Sequence, residues 1–261
     1  MSATLSLPYS RWRQFLWRHP ESPLLLLSAG AWLFLLAGGV MSLAPSLGIH
    51  SHDADAAATL HSSMPSESYL AFDAWPGFML HWSIMITAMM FPTLVPQVRV
   101  VAARSLWFRR DRSMLLFLAG YSALWLVYGV TAKAVLQLLR LFSPAVFSFL
   151  LPFSLLLAGL WQLTRRKQRS LVACHFTMPM APSGWRADFD CCRYGARTAA
   201  YCCISCWALM LVCVAAGHSL WAMLVVACVS LAERVLIRPR QAWFATALFA
   251  VALLALSAHA F

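Results

Sequence analysis

The sequence predicts an all-α membrane protein, a polytopic bundle of about seven transmembrane helices, on three observations. First, 61% of the 261 residues are hydrophobic and only 11% are charged, whereas a water-soluble domain carries about 25% charged residues. Second, the apolar residues run in stretches of roughly 20, the length that crosses a bilayer core as a helix. Third, the basic residues fall in short tracts in alternate gaps between those stretches, the pattern of topology signals. The net charge of +11 does not point to nucleic acid, because a nucleic-acid binder gathers its basic residues on one water-facing surface. The expected partners are the lipid bilayer and other membrane proteins.

The apolar stretches are Pro23 to Ala44, Ala74 to Pro96, Met114 to Leu138, Ala145 to Leu163, Thr198 to Ala216, His218 to Leu236 and Ala242 to Ala260. The first has a basic flank but is long for the core of a signal peptide, and no Ala-x-Ala site follows it, so it reads as an uncleaved helix. In the second, Pro76 and Pro96 mark the ends, and Pro92 kinks the last turn. Only Gly217 separates the fifth from the sixth, which predicts a tight helical hairpin.

Orientation follows from the charges. Arg11, Arg13 and Arg18 precede the first helix, and Arg99, Arg104, Arg109, Arg110 and Arg112 lie between the second and third. Arg165, Arg166, Lys167, Arg169, Arg186, Arg193 and Arg197 lie between the fourth and fifth, and Arg234, Arg238 and Arg240 between the sixth and seventh. All but two of the 20 basic residues thus fall on one side, which the positive-inside rule assigns to the cytoplasm, with the N-terminus inside and the C-terminus outside. The exceptions are Arg140 and Lys133, and Lys133 is expected to snorkel to the interface.

Residues 1–261 read as a single integral membrane domain with two long connections. Residues 45–73 form an extracytoplasmic loop holding Asp53, Asp55, Glu67 and Asp73, together with His50, His52 and His61. Residues 164–197 form a cytoplasmic, cysteine-containing loop.

Soft metal ligands are the main chemical signal. Cys174, Cys191 and Cys192 lie in the inner loop, and Cys202, Cys203 and Cys206 open the fifth helix, with Cys213 and Cys228 deeper. Thiols on the cytoplasmic side stay reduced, which argues against a disulfide framework. Cys202, Cys206 and Cys213, spaced i, i+4 and i+11, share one helix face. Cys174-His175 is followed by Met178-Pro179-Met180, and thiolate with thioether suits Cu(I), while thiolate with imidazole suits zinc as well. In the second helix His81, Met85 and Met89 align at i, i+4 and i+8. The competing reading for every Cys and Met here is packing, since both are common core residues. The primary metal candidates are therefore Cys174, Cys202, Cys206, Met85 and Met89. Secondary candidates are His175, Met178, Met180, Cys191, Cys192, Cys203 and His81. Cys203 and Cys206 also form a Cys-x-x-Cys pair, which opens a thiol-redox alternative. Glu233, at the inner end of the sixth helix, is expected to pair with nearby arginines.

An ordered set of residues resembles a bacterial family, the predicted metal-binding integral membrane proteins. Trp82, Met85, Ala88, Met89, Met90 and Pro92 form its first element, and Gly159-Leu160-Trp161-Gln162-Leu163-Thr164 leading to Lys167 and Cys174 its second. The third runs from Cys202 through Cys206-Trp207-Ala208-Leu209-Met210 to Gly217, Met223 and Glu233. Two positions depart from the pattern: Ser170 stands where the family has a cysteine, and Ser205 stands where it has the first thiol of a Cys-Cys-Trp run. The resemblance implies metal binding in a bacterial inner membrane and supplies no reaction. The resulting expectation is a membrane protein that handles a soft transition metal, copper first and zinc second. Its rivals are a non-enzymatic membrane subunit of a larger complex, a transporter and a thiol-redox protein. No hydrolase, nucleotide-binding or zinc-protease motif is present, so the reading leans away from an enzyme.

Overall fold

The structure is a computed structural model that describes residues 19–43, 75–142, 149–235, 247, 248 and 251. The expected outer loop 45–73 and nearly all of the expected seventh helix lie outside the described residues, as do the basic residues before His19 and after Val235. Among the described residues the chain is all-helical. In chain order the helices are α1 (Ser22–Leu43), α2 (Trp75–Met90), α3 (Val95–Arg104), α4 (Arg110–Phe142), α5 (Leu150–Gln162), α6 (Arg165–Ala173), α7 (Gly184–Ala215) and α8 (Leu220–Val235). Three helical runs are long and apolar enough to cross a membrane: Trp75–Arg104, Trp107–Phe142 and Gly184–Ala215.

Two expected boundaries are corrected. Pro96 does not end the second helix: a 3-10 turn at Phe91–Leu94 leads into α3, with a proline in its first turn. Proline is tolerated there because the first N–H groups of a helix have no partner within it. The expected inner loop 164–197 is mostly helical, divided between α6 and the first turns of α7. Hydropathy marked only the apolar part of α7, so the helix starts fourteen residues before Thr198, at Gly184. Polar residues on an exposed helix face leave no mark on a hydropathy reading.

Pro92 supplies no N–H for the carbonyl of Ala88, four residues earlier. That freed acceptor is taken by α1: Ser28 Oγ donates to Ala88 O at 2.8 Å and Trp32 Nε1 at 3.0 Å. The break in α2 thus becomes the joint that holds α1. At the start of α1, Glu21 pairs with Arg99 of α3 at 2.7 Å, and that guanidinium holds the Glu21 carboxyl down at about 2.

The centre of the bundle is the pair α4 and α7, which run parallel. Their contacts climb together: Arg112 to Asp188, Phe117 to Tyr194, Tyr121 to Cys202, Tyr128 to Trp207. α2 runs the other way against α4, with Trp82 Nε1 donating to Trp125 O at 2.9 Å while Phe78 lies at Lys133. Backbone touches backbone in the α4–α7 pair: a Cβ at Gly120 would overlap the Cys192 carbonyl, and one at Gly195 the Phe117 carbonyl. Small residues allow such approach between helices whose outer faces are apolar.

α7 ends as expected in a tight hairpin. Gly217 takes φ 62°, its N–H bonds Val214 O at 3.1 Å, and the His218 N–H bonds Cys213 O at 2.8 Å. This pair of bonds closes the helix end as a Schellman motif and turns the chain into α8.

Overpacking a tight core typically costs about 1–3 kcal/mol, and more where the obstacle is backbone. Gly120→Ala is therefore expected to lower the unfolding midpoint of purified protein or abolish its folding. Gly30→Ala, which meets nothing within 4 Å, is expected to be neutral or slightly stabilising. Thermal unfolding of both variants in detergent measures the contrast, and equal effects would refute the close-contact account.

Candidate metal centre

Two helices, α6 and α7, carry the clustered thiols. Cys174 is the C-cap of α6, where its N–H bonds Ser170 O at 3.0 Å and its carbonyl accepts from Gln97 Nε2 of α3 at 2.9 Å. On α7, Cys202 and Cys206 are fully buried and stand within hydrogen-bonding reach of each other. Tyr121 Oη, from α4, donates to Cys202 Sγ at 3.2 Å, and Ser205 Oγ lies 3.4 Å from Cys206 Sγ. From α8, Arg234 Nη2 donates to Cys174 Sγ at 3.8 Å, and its charge also acts on Cys202 and Cys206. Two buried Arg234 donors, Nε and Nη1, have no hydrogen-bond partner. Burial pushes the Cys174 thiol up, and the Arg234 guanidinium opposes that shift.

Beside this cluster sits a fully buried ion pair. Lys167 Nζ, from α6, donates to Glu233 Oε1, from α8, at 2.8 Å, with neither side chain exposed. The expected arginine partner of Glu233 is thus corrected to lysine: Arg234, next in sequence, points to the sulfurs instead. Lys167, Ser170, Leu171 and Cys174 form the buried stripe of α6, while Arg165, Arg166 and Arg169 face outward. Thr164 caps that helix, its Oγ1 accepting from Lys167 N at 3.3 Å.

Ser170 and Ser205 serve the backbone. Ser170 Oγ donates to Lys167 O at 2.7 Å, and Ser205 Oγ to Cys202 O at 2.9 Å.

The remaining candidates are spread more widely. Met178 is buried, with its carbonyl held by Arg104 Nη1 at 2.7 Å. Met180 Sδ lies 4.0 Å from Cys191 Sγ, near the start of α7, while His175 is exposed and Cys192 and Cys203 are partly buried. Met85 and Met89 are buried in the hydrophobic core. His81 sits toward the other end of the bundle against His218. Cys213 is buried and Cys228 exposed, and all eight cysteines are free. Lys133 does not snorkel: it is fully buried, with Nζ 4.7 Å from the Trp75 ring centre and 4.8 Å from that of Phe78.

Soft thiolates suit Cu(I). Among the described residues no group of three or more His, Cys, Asp or Glu side chains is arranged to hold an ion. A structural zinc site needs four such ligands. Two thiolates around one Cu(I) carry a net charge of −1, which the Arg234 guanidinium offsets. Cys174 is an electrostatic neighbour of both α7 thiols.

Tyr121, Arg234 and the Lys167–Glu233 partnership were missed in the sequence. Only Glu233-Arg234, two charges closing an apolar stretch, gave a signal; Tyr121 is one hydroxyl among apolar residues.

The fold and the cluster together define an all-helical protein with a buried, cation-flanked thiol pocket. The family model described as a copper chaperone matches residues 79–257, more than half of the chain, and the chain belongs to that family. Neither curated proteins nor solved structures gave a match.

Breaking a buried ion pair by removing one partner costs about 3–5 kcal/mol, whereas replacing both with apolar groups is often neutral. Lys167→Met is therefore expected to destabilise the protein strongly, and Lys167→Met with Glu233→Leu to recover much of the loss. Unfolding midpoints of the two variants test this; a double variant no better than the single would show that the pair is not the cause.

Proposed function

We propose that this protein is a membrane-embedded copper chaperone that carries Cu(I) on Cys202 and Cys206, with Cys174 as a third, exchangeable ligand. The observation that carries this reading is the convergence of thiols from α6 and α7 on one buried cation, Arg234. The family match supplies the metal. A carrier must release its ion, and a two-thiol site with a third sulfur on a neighbouring helix end lets an acceptor thiol enter by stepwise exchange. Met85 and Met89, and the outlying Met178, Met180, Cys191, Cys192, Cys203 and His175, are secondary contributors to that handover. The recipient is a membrane or membrane-associated copper protein, and the chaperone performs no reaction of its own.

The membrane reading rests on three long apolar runs and on the exposed apolar side chains along their faces, among them Leu115, Val127, Val135 and Leu138 of α4. The seven-span arrangement in a bacterial inner membrane, N-terminus inside and C-terminus outside, is part of the proposal. Its support is the charge pattern together with the gathering of Arg99, Arg104, Arg109, Arg112 and Arg234 at the bundle end that holds Cys174. That end is then the cytoplasmic one, where thiols stay reduced.

Reporter fusions after Phe108 and after Trp185 are expected to read cytoplasm, and one after Ser62 the outside. A cytoplasmic reading at Ser62 would overturn the orientation.

For the metal, Cys202→Ser with Cys206→Ser is expected to remove most thiolate-bound copper from purified protein, and Cys174→Ser to remove only part. Both variants should still insert, because insertion follows hydrophobicity. Elemental analysis after anaerobic Cu(I) loading gives the numbers. Wild-type protein holding less than about a tenth of an equivalent, far below the occupancy of a specific site, would end the copper reading in favour of a packing subunit.

A further inference from the structure

We propose that His81 and His218 form a second Cu(I) site, at the opposite end of the bundle from the thiols. The inference rests on the copper reading for the identity of the ion, but on different residues. His218 follows Gly217 in the α7–α8 turn and has φ 57°, the single non-glycine residue with positive φ among the described residues. That conformation is disfavoured for a side chain with a Cβ, and glycine or asparagine closes such a turn more easily. Histidine, with asparagine and aspartate, is among the residues that do enter this region, so the case for a site rests on where the ring lies.

The conformation directs the imidazole inward. His218 is 7% exposed, and its ring meets that of His81 edge-on, with centres 5.0 Å apart and planes at 76°. Phe78 and Trp82 flank the His218 ring, with ring centres 6.0 and 6.2 Å from it. Two imidazoles held together by aromatic walls give a low-coordinate nitrogen site, which fits copper. Among the described residues no third His, Cys, Asp or Glu joins the pair. The buried ammonium of Lys133, against the far-reaching ring of Phe78, repels a divalent ion about twice as strongly as a monovalent one. The chemistry that fits is therefore Cu(I) bound by two neutral imidazoles, for which the two rings would have to reorient so that a nitrogen of each faces the ion.

The two sites are separate. From Cys202 to the end of α7 at Ala215 the helix rises about 20 Å, too far for shared ligands. Buried Cys213 lies between them on the same helix. A chaperone with a thiol site at one mouth and an imidazole site at the other can receive the ion at one end of the bundle and surrender it at the other.

The test uses full-length protein in detergent, loaded anaerobically with Cu(I) and freed of excess metal. Copper content and X-ray absorption spectra are measured for wild type, Cys202→Ser/Cys206→Ser and His81→Gln/His218→Asn. Asparagine at 218 tolerates the left-handed backbone, so the turn is kept. Wild type is expected to show both sulfur and nitrogen ligands. The cysteine variant should keep about half of the copper, as expected for two independent sites, with nitrogen ligands alone. The histidine variant should keep the other half, with sulfur alone. A cysteine variant that holds no copper overturns the second site and leaves the thiol reading intact. A cysteine variant that keeps sulfur-bound copper overturns the thiol reading instead, and empty wild type overturns both. Should the histidine variant fail to fold, the cysteine variant's spectrum decides alone.

Discussion

Backbone-to-backbone contact between α4 and α7 is the constraint on which the rest of the structure depends. Gly120 against the Cys192 carbonyl and Gly195 against the Phe117 carbonyl fix the distance between the helices and their register. Once that register is set, Tyr121 reaches Cys202 and Tyr128 reaches the Trp207 carbonyl further along the same seam. If the three long apolar runs cross a bilayer as proposed, packing and interhelical hydrogen bonds rather than hydrophobic burial would hold them together, because lipid tails are as apolar as leucine. Glycine contacts with buried tyrosine and tryptophan donors beside them meet that requirement. Trp82, Tyr128, Trp161 and Trp32 all donate to carbonyls of other helices.

The same seam explains why the thiol cluster is at one end. α4 and α7 run parallel, so their polar first turns lie side by side, joined by Asp188 bridging Arg109 and Arg112. α6 packs against α7 there, and α8 returns to bring Glu233 and Arg234 to the same level. Two adjacent residues of α8 then divide the work. Glu233 neutralises the lysine that α6 buries, and Arg234 is left to face sulfur. Among the described residues this partly buried guanidinium has no carboxylate partner, and on the proposed reading the thiolates formed when copper displaces protons would supply the anion.

Much of the fold was legible because hydropathy reports what lipid demands. The starts and ends of α1, α4 and α8 fell within a few residues of the apolar runs, and Gly217 marked the hairpin. What hydropathy could not see were helical turns made of polar residues, so α6 and the first turns of α7 read as loop. Lys133 was misplaced for a related reason. Its position at the end of an apolar run suggested an escape to the interface, yet Trp75 and Phe78, from another helix, offer their ring faces to the ammonium. Contacts between distant segments leave no local trace in sequence.

The site divides along the same line. Cys202 and Cys206 were legible through helical spacing, because one turn of one helix brings both thiols to one face whatever the surroundings. Cys174 was legible only as residue type, and its approach depends on Thr164 starting α6 and on Gln97 holding the Cys174 carbonyl. Tyr121 could not be read at all and Arg234 only as a charge closing an apolar run, since each matters through a partner roughly 60 to 80 positions away. A soft ligand pair set by local geometry, with its charge balance and third ligand supplied by other helices, has a functional consequence. On the proposed reading, movement of α6 or α8 would alter the copper site without disturbing the two thiols at its centre, the property a carrier would need in order to let go of its ion.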